Sequence, residues 1–265
     1  MKNQEQKPSK KHYGKAYHMA LSHNDDWVYL SASTVTVLCR EDERIIEKLT
    51  SVKNAQRICI SPNGRYIAFT FEGIDGVKVY SIETPHRLLI HFRTQVYCCP
   101  QIVFGSLSDT LFIGVRECIY ALDIHSGKSR IITKTSNGSI CKSLYCFQDQ
   151  LLSSFYISRE QGDEQHLISI QDVNNPKTIR IDFNRDVYGM FLEQFIISWA
   201  LLLSNQEVLI GFKSSNLVAI KAHIDCSNKL SEPVYSKQWE NVRFSFFSNY
   251  TSHFGLTCYN NIGDF

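Results

Sequence analysis

A four-strand pattern that returns at a fixed interval constrains this chain more than any other feature. One copy runs Arg57-Ile-Cys-Ile60, Tyr66-Ile-Ala-Phe69, Val77-Lys-Val-Tyr-Ser-Ile82 and Arg87-Leu-Leu-Ile-His-Phe92, with turns at Ser61-Pro-Asn-Gly-Arg65, Gly73-Ile-Asp-Gly76 and Glu83-Thr-Pro-His86. The next runs Gln101-Ile-Val-Phe104, Thr110-Leu-Phe-Ile-Gly114, Cys118-Ile-Tyr-Ala-Leu-Asp123 and Ser129-Arg-Ile-Ile-Thr133. Setting Ile58 on Ile102 gives a period of 44, and setting Val79 on Ile119 gives 40. Short apolar or alternating runs bounded by Gly, Pro, Asn and Asp predict strands joined by tight turns. A period of this size makes each copy one supersecondary unit.

Fainter copies flank these two. The first is Tyr17–Leu21, Trp27–Ser31, Thr34–Leu38 and Arg44–Leu49. A fourth is Ser143–Phe147, Leu151–Phe155, His166–Ile170 and Thr178–Asp182. A fifth contains Phe195–Trp199, Glu207–Gly211 and Leu217–Ile220, and a sixth contributes two strands, Val242–Phe247 and Phe254–Tyr259. A four-stranded meander cannot bury both of its faces alone, so the units must stack, and radial stacking of such sheets makes a β-propeller. The expected organisation is all-β: a Lys-rich leader over 1–13, then blades at about 14–55, 56–96, 97–139, 140–186, 187–230 and 231–265. The last blade is two strands short, and an open sheet edge invites a further strand.

Two turns carry a family resemblance. Ser61-Pro-Asn-Gly-Arg65 before Tyr66-Ile-Ala-Phe69, and Asp123-Ile-His-Ser-Gly-Lys128, resemble the turns of WD-repeat-like propellers, although no Trp-Asp or Gly-His dipeptide occurs. The resemblance implies a scaffold that presents loops to a protein or peptide.

Charge narrows the partners. The first 15 residues hold five lysines against Glu5, a net of +4 in a chain of formal charge +2, which leaves the remainder at −2. A body so balanced lacks the broad basic surface that nucleic acid requires, since that affinity rests on neutralising many phosphates. The leader reads as a solvated tail able to touch an acidic membrane surface, and no apolar h-region follows it to make a secretory signal. The longest apolar run, Phe195–Leu203, is short of the ~20 residues a membrane helix needs. The chain has nine cysteines, mostly within apolar strand patterns, which suits a reducing cytoplasm.

No nucleophile elbow, Walker loop, Gly-x-Gly-x-x-Gly or His-Glu-x-x-His occurs. Cys98-Cys99, Cys141, Cys146 and His125 are residue types that could hold zinc, but they lack paired knuckle spacing and read as structural. Asp25-Asp26 and Asp163-Glu164 lack the oxygen spacing of a calcium loop and read as solvated turns. His86 and His91 read as structural, Trp199 as core, and Trp239 in Lys237-Gln-Trp-Glu240 as a candidate surface contact for a partner. No catalytic, cofactor or metal residue is assigned. The expected function is non-catalytic: a propeller whose loop-rich face binds a protein or peptide. The alternative is a lactonase- or hydrolase-type propeller with its site at the channel mouth, against which stand the apolar inner strands Ile58–Ile60 and Ile102–Phe104.

Overall fold

The computed structural model describes residues 18–22, 26–31, 33–83, 85–94, 98–135, 138–147, 150–157, 165–173, 178–182, 196–204, 207–213, 216–223, 235–240, 242–247 and 255–260. From residue 178 onward the description is of backbone strands. The leader, Asp25 and the Asp163-Glu164 loop lie outside the described residues.

The first sheet joins β1 (His18–Leu21), β2 (Trp27–Ser31), β3 (Thr34–Cys39) and β4 (Ile45–Lys53). The second joins β5 (Arg57–Ile60), β6 (Tyr66–Thr70), β7 (Val77–Ser81) and β8 (Leu88–Phe92). The third joins β9 (Gln101–Phe104), β10 (Thr110–Val115), β11 (Cys118–Asp123) and β12 (Ser129–Lys134). The fourth joins β13 (Ser139–Phe147), β14 (Gln150–Ile157), β15 (Gln165–Asp172) and β16 (Thr178–Asp182). The fifth joins β17 (Ile196–Ser204), β18 (Glu207–Lys213), β19 (Asn216–His223) and β20 (Tyr235–Glu240), and β21 (Val242–Phe247) pairs with β22 (Gly255–Asn260). Every pairing is antiparallel between sequence neighbours.

The first strands of successive sheets are spatial neighbours from β1 through β5, β9 and β13 to β17, and β21 approaches both β19 and β1. The sheets are therefore arranged radially, with β1, β5, β9, β13 and β17 innermost. The fourth strand of the fifth sheet is a difference from the sequence reading, which assigned residues 231–265 to the sixth unit. Tyr235–Glu240 pairs with β19, so the fifth sheet extends to Glu240.

Strand periodicity explains the apolar runs. Successive side chains point to opposite faces, and in a middle sheet both faces meet a neighbour. On β6, Ile67 and Phe69 enter the core shared with the first sheet, beside Tyr29, Val37 and Ile58, while Ala68 enters the core shared with the third. On β10, Leu111 and Ile113 join that second core, and Phe112 enters a third one with Cys141, Leu151 and Phe155. Sheets covered on both faces need continuous apolar strands.

The two motif turns form as their residues predict. The Asn63 side-chain oxygen accepts from Ser61 Oγ at 2.8 Å and from the Arg65 N–H at 3.0 Å, with Gly64 at φ 69. Asp123 accepts the Ser126 N–H at 2.6 Å, with Gly127 at φ 67. That hydrogen bond is the largest cause of Asp123 lying below the usual carboxylate range. Each turn meets the other turn at its own end of the sheet through Ile82 N–H to Arg65 O and Ile124 N–H to Asp109 O, both 2.9 Å. These turns define the lower face. The upper face is the end at which the innermost strands begin. Among the described residues no helix is long and apolar enough to cross a membrane.

Candidate functional site

The first residues of the four best described inner strands are His18, Arg57, Gln101 and Ser139. Each is polar, the first three start otherwise apolar strands, and the topology brings all four to one end of the axis. Ser139 is buried, Gln101 nearly so, and Arg57 is exposed. The segments Ile58–Ile60 and Ile102–Phe104 are apolar as the sequence indicates, and the polar residues of the upper mouth stand immediately before them. The signal was available in Arg57-Ile-Cys-Ile and Gln101-Ile-Val-Phe, where a polar residue precedes the apolar run.

Electrostatics link the members of this ring across sheets. Burial, reinforced by the Arg57 guanidinium, lowers His18 to about 4. Burial pushes the Cys141 thiol up to about 12, and Arg57 opposes that shift only partly. Arg57, on the second sheet, thus acts on groups of the first and the fourth. The Cys141 N–H donates to the Arg116 carbonyl at 2.9 Å, which brings the β10–β11 turn beside the start of β13.

The surrounding surface is built from two kinds of connection. The β6–β7 turn, with a single 3-10 turn at Gly73–Asp75, is tied to the β8–β9 loop. Thr94 Oγ1 donates to Gly73 O at 2.8 Å, Thr94 N–H donates to Ile74 O at 3.2 Å, and Gly73 N–H donates to Cys98 O at 3.2 Å. Ile74, at the tip, is 66% exposed. Similarly, the Thr135 N–H donates to Glu117 O at 2.8 Å, holding the β12–β13 loop against the β10–β11 turn.

The other side chains singled out from sequence do not converge. Cys98 and Cys99 lie in the upper β8–β9 loop, Cys141 and Cys146 are buried against Leu151 and Phe155, and His125 sits on the lower face 3.3 Å from Asp109. Among the described residues no group of three or more His, Cys, Asp or Glu is placed to hold a metal ion. Burial and the neighbouring Cys99 raise Cys98, so its thiolate is disfavoured. His91 bonds Asp75 O at 2.9 Å. Trp239 is placed by its backbone on β20 opposite Leu217, and its side chain, like that of Trp199, lies outside the described residues.

A buried cluster missed in the sequence joins the first two sheets. His86 Nδ1 lies 2.6 Å from Glu47 Oε2, and its Nε2 lies 3.1 Å from the Tyr29 hydroxyl. The His86 side chain is 0% exposed and that of Glu47 20%, so the cluster forms a largely buried latch between the sheets.

The His18 environment has a measurable consequence. The unfolded histidine takes up its proton near pH 6.5, whereas the folded one stays neutral down to about pH 4. The unfolded state therefore binds more protons in that window, and stability falls as pH drops through it, by about 3 kcal/mol. Denaturant midpoints of wild type and His18→Gln across this range test it: the variant's profile should be flatter, and parallel profiles would contradict the assignment.

No family model matches the chain, and no curated protein matches it. Solved structures do. The β-propeller domain of Cps50 (Swd1) from Myceliophteria thermophila superposes with TM-score 0.65 at 14% identity, covering 94% of this chain and 81% of that one. Hydrazine synthase of Kuenenia stuttgartiensis gives 0.62 at 10% identity, covering 85% and 69%. A chain of the nidogen/laminin complex gives 0.53 at 14% identity, covering 84% and 82%. At such identities the likeness is one of fold. The chain is an all-β propeller of antiparallel four-stranded blades, the architecture that its WD-repeat-like turns implied.

Proposed function

We propose that this propeller is a non-catalytic scaffold whose upper face binds a protein or peptide. The observation that carries the reading is the ring of His18, Arg57, Gln101 and Ser139, set among connections that are hydrogen-bonded from blade to blade. A preorganised surface lowers the ordering cost of association. Exposed Ile74 offers an apolar contact on the face that also carries exposed Arg57, a mixture common at protein interfaces. The burial of Cys59, Cys118, Cys141 and Cys146 inside strands supports a reducing, cytoplasmic setting.

Capture from host lysate on the tagged full chain tests the proposal. A stoichiometric protein should be retained by wild type and by a chain lacking residues 1–12, and lost or weakened about tenfold with Ile74→Asp at unchanged thermal stability. Loss on removing the leader would transfer the site to the lysines. Loss with Trp239→Ala alone would transfer it to the fifth blade's outer strand. Absence of any retained protein would overturn the scaffold reading.

The neutral His18 beside the Arg57 cation favours one second reading, an enzyme with its site at the same mouth. Turnover of an ester or lactone, abolished by His18→Gln, would establish it.

A further inference from the structure

The two faces of the disc differ in charge. Over the described loops and strand ends, the upper face exposes Lys53, Arg57, Arg93, Arg116 and Lys134, while its acids are Glu72, Asp75 and Glu117. Asp75 is already engaged by Lys78 at 4.0 Å and His91 at 3.9 Å. The lower face carries a slight opposite excess, its exposed acids, Glu41, Asp42, Glu43, Glu83 and Asp109 among them, being set against Arg40, Arg44, Arg65, Arg87 and Lys128. Some of its charges are matched locally, as in Arg44 with Asp42 at 3.5 Å. Among the described residues no carboxylate lies within ion-pair distance of Arg57, Arg93 or Arg116.

An exposed guanidinium left without a carboxylate is a fork of donors matched to a carboxylate brought by a partner. Arg57 stands at the start of β5, and Arg116 presents its backbone carbonyl to the start of β13, so the two cations come from neighbouring blades around the same mouth. Exposed Ile74 and Ile140 lie on the same face and supply apolar contacts at its edge. We infer that the upper mouth binds an acidic protein segment, its carboxylates on Arg57 and Arg116 and an apolar side chain against Ile74. This rests on the scaffold reading above and names the partner's chemistry. A nucleic acid fits less well, because the cations are few, are interleaved with Glu72 and Glu117, and back onto a slightly acidic lower face.

Fluorescence anisotropy with the full chain tests the inference. The probes are three labelled dodecapeptides, one of alternating Glu and Leu, one with Gln in place of Glu and one with Lys, together with a single-stranded oligonucleotide of similar length. The Glu peptide should bind at least tenfold more tightly than the Gln and Lys peptides, and its affinity should fall as salt is raised. Arg57→Glu with Arg116→Glu should weaken it about tenfold or more, whereas Arg65→Glu with Arg87→Glu on the lower face should leave it unchanged. Thermal melting checks the fold of each variant, and Arg57→Gln with Arg116→Gln replaces the reversal if that variant does not fold. Equal binding of Glu and Gln peptides, equal loss from lower-face reversals, or tighter binding of the oligonucleotide would each overturn the inference. A lysate partner that still binds the Arg57→Glu, Arg116→Glu chain would overturn it while leaving the scaffold reading intact. If no lysate protein binds any form of the chain, the scaffold reading fails with it.

Discussion

Replacing Gly76 by alanine should destabilise the protein by about 3 kcal/mol or more, among the larger effects a single substitution produces. Two costs combine there. Gly76 has φ 62 and ψ −107, a region that a side chain strongly disfavours. A Cβ would also run into the Phe92 carbonyl oxygen and lie 2.9 Å from the Thr94 nitrogen, both of them backbone atoms with no rotamer to yield. Gly127 is the control. Its φ is +67, yet nothing lies within 4 Å of an added Cβ, so Gly127→Ala should cost only the conformational term of about 1 kcal/mol. Urea denaturation of the two variants separates the effects. Equal losses would mean that the β6–β7 turn is not packed on the β8–β9 connection as described.

The second large effect belongs to the latch between the first and second blades. A carboxylate only accepts hydrogen bonds, so His86 Nδ1–H donates to Glu47, and in the neutral imidazole Nε2 accepts from the Tyr29 hydroxyl. Burial, then Glu47, raises Tyr29 above the usual phenol range, which keeps that donor protonated. Glu47→Ala strands a fully enclosed ring N–H and should cost about 2–3 kcal/mol. Tyr29→Phe removes one hydroxyl from a buried site and should cost about 1 kcal/mol. A double-mutant cycle of Glu47→Ala with His86→Ala should give a coupling of at least ~1 kcal/mol, and additivity within ~0.5 kcal/mol would contradict the latch.

These residues also mark what could be read beforehand. The second and third blades were legible because Pro62-Asn63-Gly64, Gly73–Gly76 and Ser126-Gly127 punctuate their strands with residues suited to those turns. The fourth strand of the fifth blade, Tyr-Ser-Lys-Gln-Trp-Glu, was missed because it has no apolar alternation. Outer strands need none: β12 is largely exposed too, but strong turns bracket it. The latch was invisible for another reason. His86 is separated by 57 residues from Tyr29 and by 39 from Glu47, and periodicity reports which face a side chain takes, not which residue it meets on the next sheet. The polar ring lay between these cases. Arg57 and Gln101 headed recognised strands, whereas the fourth inner strand was read from Ser143 and begins at Ser139, so the ring assembled only once the strand starts were known.

Hydrogen exchange on the intact chain, alone and saturated with the partner captured from lysate, tests the account most directly. It predicts protection in the upper-face segments around residues 54–57, 71–76 and 116–117, with the lower-face turns at 61–65, 105–109 and 124–128 unchanged. Protection confined to those lower turns would contradict it.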